Sequence, residues 1–559
     1  MSTLNIPMNN SNRSGLPSVI LLIISAILIV GCQTFSVPTK HVVMFGRNGQ
    51  AVDPTGNVGE GRHSTLLSYR HYETSEYETH IDRVLGGIAQ WGTAPQNGRQ
   101  GKRKIMLFIH GGMNTQVGSL RRMTEEFEDE KTRIDLIKKE GFYPIFINWR
   151  SSLWSSYFEH LWETRQGERW PWYAGIPSSM IIFPVDVTRS LVRAPLVWGQ
   201  LIYNDFKTFD NAWNHFGPGL SGTISIELMC RYNLATPLDS CTDQLKLQKP
   251  PYCVPFAIEA SPPAFRPPSR PPSMDTFPIS IGSDEGRCTE KNLRAASYLF
   301  TFPMKLAIAP ILDTFGTSAW INMQRRIHLL FHSEEEMRLS SITRAAKARD
   351  ELATIPASGG LSIFMEKLLE AKRKDAAYDW EIVVVGHSMG AIVLNEMIQL
   401  YGPKLPISRI IYLAAASSIE DYEDSLFPYL TANTKTHFNN FMLHPVVERG
   451  EIQYEWGDLT PRGSLLTWLD TFLANPETLQ HRRVGSYDNY LRSIHSTPIC
   501  TNAGDQCLRS RIHVRSFSAG IAAADTNPQN HSEMAERFRF WNAKCWQVDT
   551  PSEECIKPE

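Results

Sequence analysis

The stretch WEIVVVGHSMGAIVLNEM, residues 380–397, decides how the chain is to be read. Val383, Val384 and Val385 form a β-branched apolar run, the pattern of a strand buried on both faces. Gly386 ends that run, and a helical pattern opens at Ala391 and stops near Gly402. Strand, glycine turn and helix in this order make a G-x-S-x-G elbow with Ser388 at its tip. The flanking glycines let strand and helix pack closely around a strained turn. That turn lifts the serine Oγ above the sheet edge at a helix N-terminus. The motif alone is a modest signal, so its meaning rests on partners elsewhere in the chain.

The first partner lies upstream. KIMLFIHGGMN carries a buried strand, Ile105 to Ile109, straight into His110-Gly111-Gly112-Met113. A serine acyl-transfer enzyme needs backbone N–H donors for the oxyanion, one from such a loop and one from the residue after the nucleophile. Gly111, Gly112 and Met113 are the loop candidates and Met389 is the elbow candidate. Glycine lets a backbone donor approach a substrate carbonyl with no Cβ in the way.

With HGG, the strand end NWRSS (residues 148–152) and GHSMG in place, the chain resembles an α/β-hydrolase. Within that superfamily it is most similar to bacterial hydrolases of unassigned substrate. The similarity covers roughly residues 101–155 and 350–545. It implies a mostly parallel central sheet, helices on both faces and a large cap insertion. It also implies the order nucleophile, acid, histidine along the chain. The last strand candidate is RIHVRSFS (511–518), and His531 in PQNHSEMAE follows it as the candidate base. His513 lies within the strand itself, while His444 and His495 come too early or fall in loops. For the acid, the strand HFNNFML (437–443) leads into HPVVERGE, where Glu448 is the choice. Glu451 and Asp458 are rivals, and Asp421 holds an alternative position one strand earlier.

Other strand candidates are HVVMF, FYPIFINW and RIIYLAAA. Ile81, Val84, Leu85, Ile88 and Ala89 keep helical spacing, and one charged helix is expected around residues 119–139. The rhythm breaks between about 155 and 345, a Trp- and Pro-rich region containing SPPAFRPPSRPPS. MIIFPVDVTRSLVRAPLVWGQLIY (180–203) and YLFTFPMKLAIAPILDTFG (298–316) are candidate amphipathic cap helices there. The expected organisation is a leader over 1–32, a first half of the core over 33–155, a cap over 156–345 and a second half over 346–559.

Arg13 precedes the apolar run LPSVILLIISAILIVGC, which ends in a lipobox-like Ile29-Val30-Gly31-Cys32. This pattern predicts a lipoprotein signal peptide with lipidation at Cys32. By resemblance to Gram-negative lipoprotein sorting, Gln33 after the cysteine implies the outer membrane of the cell envelope rather than the inner one. With Cys32 set aside, eight cysteines remain. Cys500 with Cys507 and Cys545 with Cys555 read as short-loop disulfides, and Cys230, Cys241, Cys253 and Cys288 as two bridges in the insertion. No C-x-x-C pair is present, which argues against zinc. A net charge of −2 with no dominant basic patch argues against a nucleic-acid partner.

The expected function is a membrane-anchored serine esterase or lipase acting on a hydrophobic acyl ester. It would use Ser388, His531 and Glu448 and need no metal or organic cofactor. Two alternatives are an acyltransferase with the same residues and a non-catalytic envelope interaction protein on a hydrolase scaffold.

Overall fold

The computed structural model describes residues 37–55, 69–92, 101–112, 116–128, 131–162, 164–165, 168–169, 175–216, 280–283, 295–339, 355–443, 445–451, 460–494, 511–517, 528, 530–547 and 552–557. The expected leader with Cys32, Met113, Asp458 and the six cysteines from Cys230 to Cys507 lie outside them. The Cys545–Cys555 disulfide is present.

Seven strands form one parallel sheet: β1 (Val42–Phe45), β2 (Gly101–Ile109), β3 (Tyr143–Trp149), β5 (Tyr378–His387), β6 (Ile407–Leu413), β7 (His437–Leu443) and β8 (Ile512–Phe517). The short β4 (Ser280–Ser283) adds in parallel beyond β8. The order across the sheet is β1-β3-β2-β5-β6-β7-β8-β4. The reason is visible in the strands. Ile105, Met106 and Leu107, and Ile382 to Val385, are consecutive residues with no exposed surface. Successive side chains point to opposite faces, so both faces must be covered, which is the condition parallel sheets require.

The covering helices are α1 (Thr74–Ala89), α2 (Gln116–Thr124), α3 (Arg133–Lys139), α7 (Gly360–Lys374), α8 (Gly390–Tyr401) and α9 (Ile419–Ala432). Ile81, Val84 and Ile88 are buried on α1, and Leu361, Met365 and Leu368 on α7, as their spacing predicts. The single charged helix expected over 119–139 is instead α2 and α3 with a hairpin between, Glu126–Glu128 against Lys131–Thr132. The break has a local cause. Thr132 caps α3 by accepting from the Asp135 N–H, and Asp135 reaches back to the Thr132 N–H. This capping box starts a new helix there.

Three more helices stand between the halves of the sheet: α4 (Leu153–Trp162), the long α5 (Gly175–Phe216) and α6 (Ala295–Phe331). They pack on one another, and α6 also packs on α7 and α8. Both cap-helix expectations thus correspond to helices, each longer than its apolar stretch.

Candidate functional site

The chain places β3 and β1 to one side of β2, then β5, β6, β7 and β8 to the other. The direction of strand addition therefore reverses between β2 and β5. In open parallel sheets the crevice beyond the carboxyl ends of the strands at such a reversal is where ligands bind. The two candidate motifs, His110-Gly111-Gly112 and Gly386-His387-Ser388, sit at these two strand ends.

Ser388 has φ of +52°, a left-handed conformation that a residue with a Cβ rarely adopts. Its neighbours explain how the turn is held. The Ser388 N–H donates to the Leu413 carbonyl, and the Ser388 carbonyl accepts from Ala391 and Ala416. A Cβ on Gly386 would lie 2.8 Å from Ala391 Cα, and one on Gly390 only 2.2 Å from the Ile109 carbonyl oxygen. The second contact is against backbone, so nothing flexible can give way. Gly390→Ala is expected to destabilise the fold by about 3 kcal/mol. A urea titration against the parent measures this, and an unchanged midpoint would mean the elbow tolerates a side chain.

The HGG loop lies on top of the elbow. A Cβ on Gly111 would come 2.7 Å from Ser388 Cβ, and one on Gly112 2.2 Å from Met389 Sδ. His110 is buried and tied to β3: the Trp149 N–H donates to His110 Nε2 at 3.0 Å. Nε2 is therefore an acceptor, which leaves the proton on Nδ1 to donate to the Gly111 carbonyl at 2.6 Å. Ser151 Oγ donates to that same carbonyl at 3.2 Å. In a trans peptide the N–H opposes the C=O. Holding the Gly111 carbonyl toward His110 and Ser151 thus aims the Gly112 N–H the other way. The strand end NWRSS, noted in the sequence only as a resemblance, has this physical task.

His531 is buried beside the elbow. Its ring centroid is 5.3 Å from that of His387, and the His387 Nε2 pairs with the His531 carbonyl at 3.2 Å. The Ser388 Oγ and both ring nitrogens of His531 make no hydrogen bond to a described residue. Burial pushes the His531 imidazole down to about 4, so the ring is neutral at pH 7. His387, buried and held well below its ordinary value by desolvation, is likewise neutral.

The candidate carboxylates lie in different surroundings. Glu448, on α10 (Pro445–Gly450), is buried and accepts from Ser464 Oγ at 3.2 Å and Ser486 Oγ at 3.1 Å. Desolvation, with the Asp488 charge, pushes its carboxyl up to about 8. The backbone N–H of His531 donates to Glu451 Oε2 at 3.1 Å, and no described carboxylate bonds the His531 ring. Asp421 is buried on α9, where it accepts from Ser425 Oγ. Among the buried carboxylates the sequence did not point to, Asp470 lies nearest the elbow's backbone support. Asp470 pairs with Arg483 at 3.4 Å, and Arg483 Nη1 donates to the Ala416 carbonyl. This pair braces the backbone that holds Ser388.

Among the described residues no group of three or more His, Cys, Asp or Glu side chains is placed to hold a metal ion. Compared with known protein families, curated proteins and solved structures, the chain matches none.

Proposed function

We propose that the chain is a serine hydrolase of α/β-hydrolase fold, tethered to the cell envelope by a lipid on Cys32, that cleaves a carboxylic ester through an acyl-enzyme on Ser388. The observation that carries this reading is the elbow. A serine at φ +52° sits between two glycines with no room for a Cβ, under a second glycine loop at the switch point of the sheet. A plain turn needs neither the strain nor the loop above it.

In this mechanism neutral His531 takes the Ser388 proton as Oγ attacks the ester carbonyl. The Met389 N–H at the start of α8 and the Gly112 N–H receive the oxyanion. His531 then returns the proton to the leaving alcohol, and water, activated by the same imidazole, releases the acid. A carboxylate must stabilise the imidazolium. Glu451 is the candidate in contact with the His531 backbone, and Glu448 is the runner-up.

A fluorophosphonate probe tests the reading on detergent-solubilised, folded protein. The expected result is one adduct on Ser388, absent in Ser388→Ala and strongly reduced in His531→Ala. No adduct on the folded parent would sink the proposal. Ser388 is 1% exposed, so the site must open to admit an ester, and whether water or an alcohol then takes the acyl group decides between hydrolysis and a second reading, acyl transfer. Product analysis of an ester panel with and without added alcohols separates transfer from hydrolysis.

A further inference from the structure

The three helices α4, α5 and α6 have their polarity reversed. A surface helix normally turns its charges to water and its apolar stripe to the core. Here the charges point inward. Arg326 pairs with Glu159, Arg193 with Asp313 at 2.7 Å, and His160 with Asp186 at 3.0 Å, joining the three helices from within. Glu159, Asp186, Lys305, Asp313 and Arg326 are all buried.

The outward side is uncharged and largely apolar, with Thr188 the exposed hydroxyl on α5. On α5, Met180, Ile181, Val185, Leu191, Val192 and Leu196 are each more than half exposed. On α6 the exposed side chains include Met304 and Ile311, and on α4 they are Trp154, Phe158 and Trp162, one helical turn apart. No described exposed side chain of these three helices is charged. The exposed side-chain donors Thr188 and Trp198 of α5 are already bonded, one to its own helix a turn back and one to α6. Thr188 Oγ1 donates to the Pro184 carbonyl, and Trp198 Nε1 to the Leu306 carbonyl. Phe315 on α6 lies within 6.4 Å, ring to ring, of Trp154, Tyr157 and Phe183, so the face is continuous across the helices.

We propose that this face docks on a phospholipid bilayer, with α5 lying in the plane of the interface and its apolar side chains entering the acyl-chain boundary. Two arguments choose lipid over protein as the occupant. Protein interfaces carry about one hydrogen bond per 100–200 Å², and Thr188 and Trp198 on the α5 face have already committed their side-chain donors within the chain. Acyl chains ask for none. The second is the tether. Cys32 stands five residues before Val37, the first described residue, so an extended link reaches only about 17 Å. The lipid proposed at Cys32, on which this point rests, would hold the chain at a bilayer and make docking intramolecular wherever the short link lets the face reach it. No described helix is long and apolar enough to cross a membrane, which suits an element lying on the surface. This inference does not depend on Ser388 chemistry.

The test uses the full-length chain in phosphatidylethanolamine–phosphatidylglycerol vesicles. An NBD fluorophore is placed on Val192→Cys, or on Lys374→Cys of α7 as a control away from the face, with the labelled parent as background. Val192 and Lys374 are both about three-quarters exposed, so the substitutions should leave the fold intact. The expected result is blue-shifted, several-fold brighter emission from position 192 that acyl-brominated lipids quench by at least half, with position 374 unaffected. Emission from 192 that iodide quenches as in water would overturn the proposal. So would blue-shifted emission that brominated lipid leaves untouched, since protein would then cover the face, either a second copy or residues 217–279.

Discussion

Ser388→Ala is expected to lower ester hydrolysis by about 10⁵–10⁶-fold, the scale on which a serine nucleophile acts as one unit with its base, while raising the melting temperature. Activity and stability move in opposite directions because of how Ser388 is held. Its Oγ is buried and has no described hydrogen-bond partner. A buried hydroxyl left without a partner costs about 1–3 kcal/mol, and alanine removes that cost. The left-handed backbone conformation is a second cost, which alanine keeps and glycine relieves. Ser388→Gly should therefore be more stable than the parent by about 1 kcal/mol or more, and equally inactive. Thermal unfolding read beside the hydrolysis rate checks both. If either variant melted below the parent with activity intact, Ser388 would be a structural turn residue.

What the sequence made legible follows from where the forces are local. The elbow could be read because a β-branched run, two glycines and a helix start lie within one short stretch. The HGG loop could be read because it follows a strand end directly, whereas His531 stands well beyond the end of β8 at Phe517 and could be placed only by its order in the chain. The acid could not be settled the same way. Glu448 and Glu451 both follow β7, and what separates them is Ser464 and Ser486, which arrive from later segments to claim Glu448. The split of α2 from α3 had a local signal, the Thr132–Asp135 capping box, which the run of charges around it concealed. In the cap, spacing marked two amphipathic helices but not which side faces out. Arg193–Asp313 and Arg326–Glu159 are pairings between helices far apart in the chain, and with His160–Asp186 they turn the charged sides inward.

The second large effect separates the two glutamates. Provided the Glu451 carboxylate moves from the His531 backbone N–H to the ring Nδ1 in the working enzyme, Glu451→Gln is expected to lower kcat by about 10⁴-fold, the loss seen when a triad carboxylate becomes an amide. Its Oε1 still accepts from the His531 N–H, so the loop stays in place while the charge is lost. Glu448→Gln is expected to keep the activity. With its carboxyl pushed up to about 8, Glu448 is largely protonated at pH 7 and cannot offer an anion to an imidazolium. Its signature lies in stability. The native state holds a proton that the unfolded chain releases at the ordinary carboxyl value of 4.5. Stability from this group is therefore full below about pH 4.5 and falls by about 1.4 kcal/mol per pH unit until about pH 8. Glutamine abolishes this slope, so the variant should gain on the parent steadily as melting is followed from pH 5 to pH 8. A Glu448→Gln enzyme that is folded but inactive, beside an active Glu451→Gln, would exchange the two roles. The ionised carboxylate would then have to arise in an open state of the site, where Glu448 regains water.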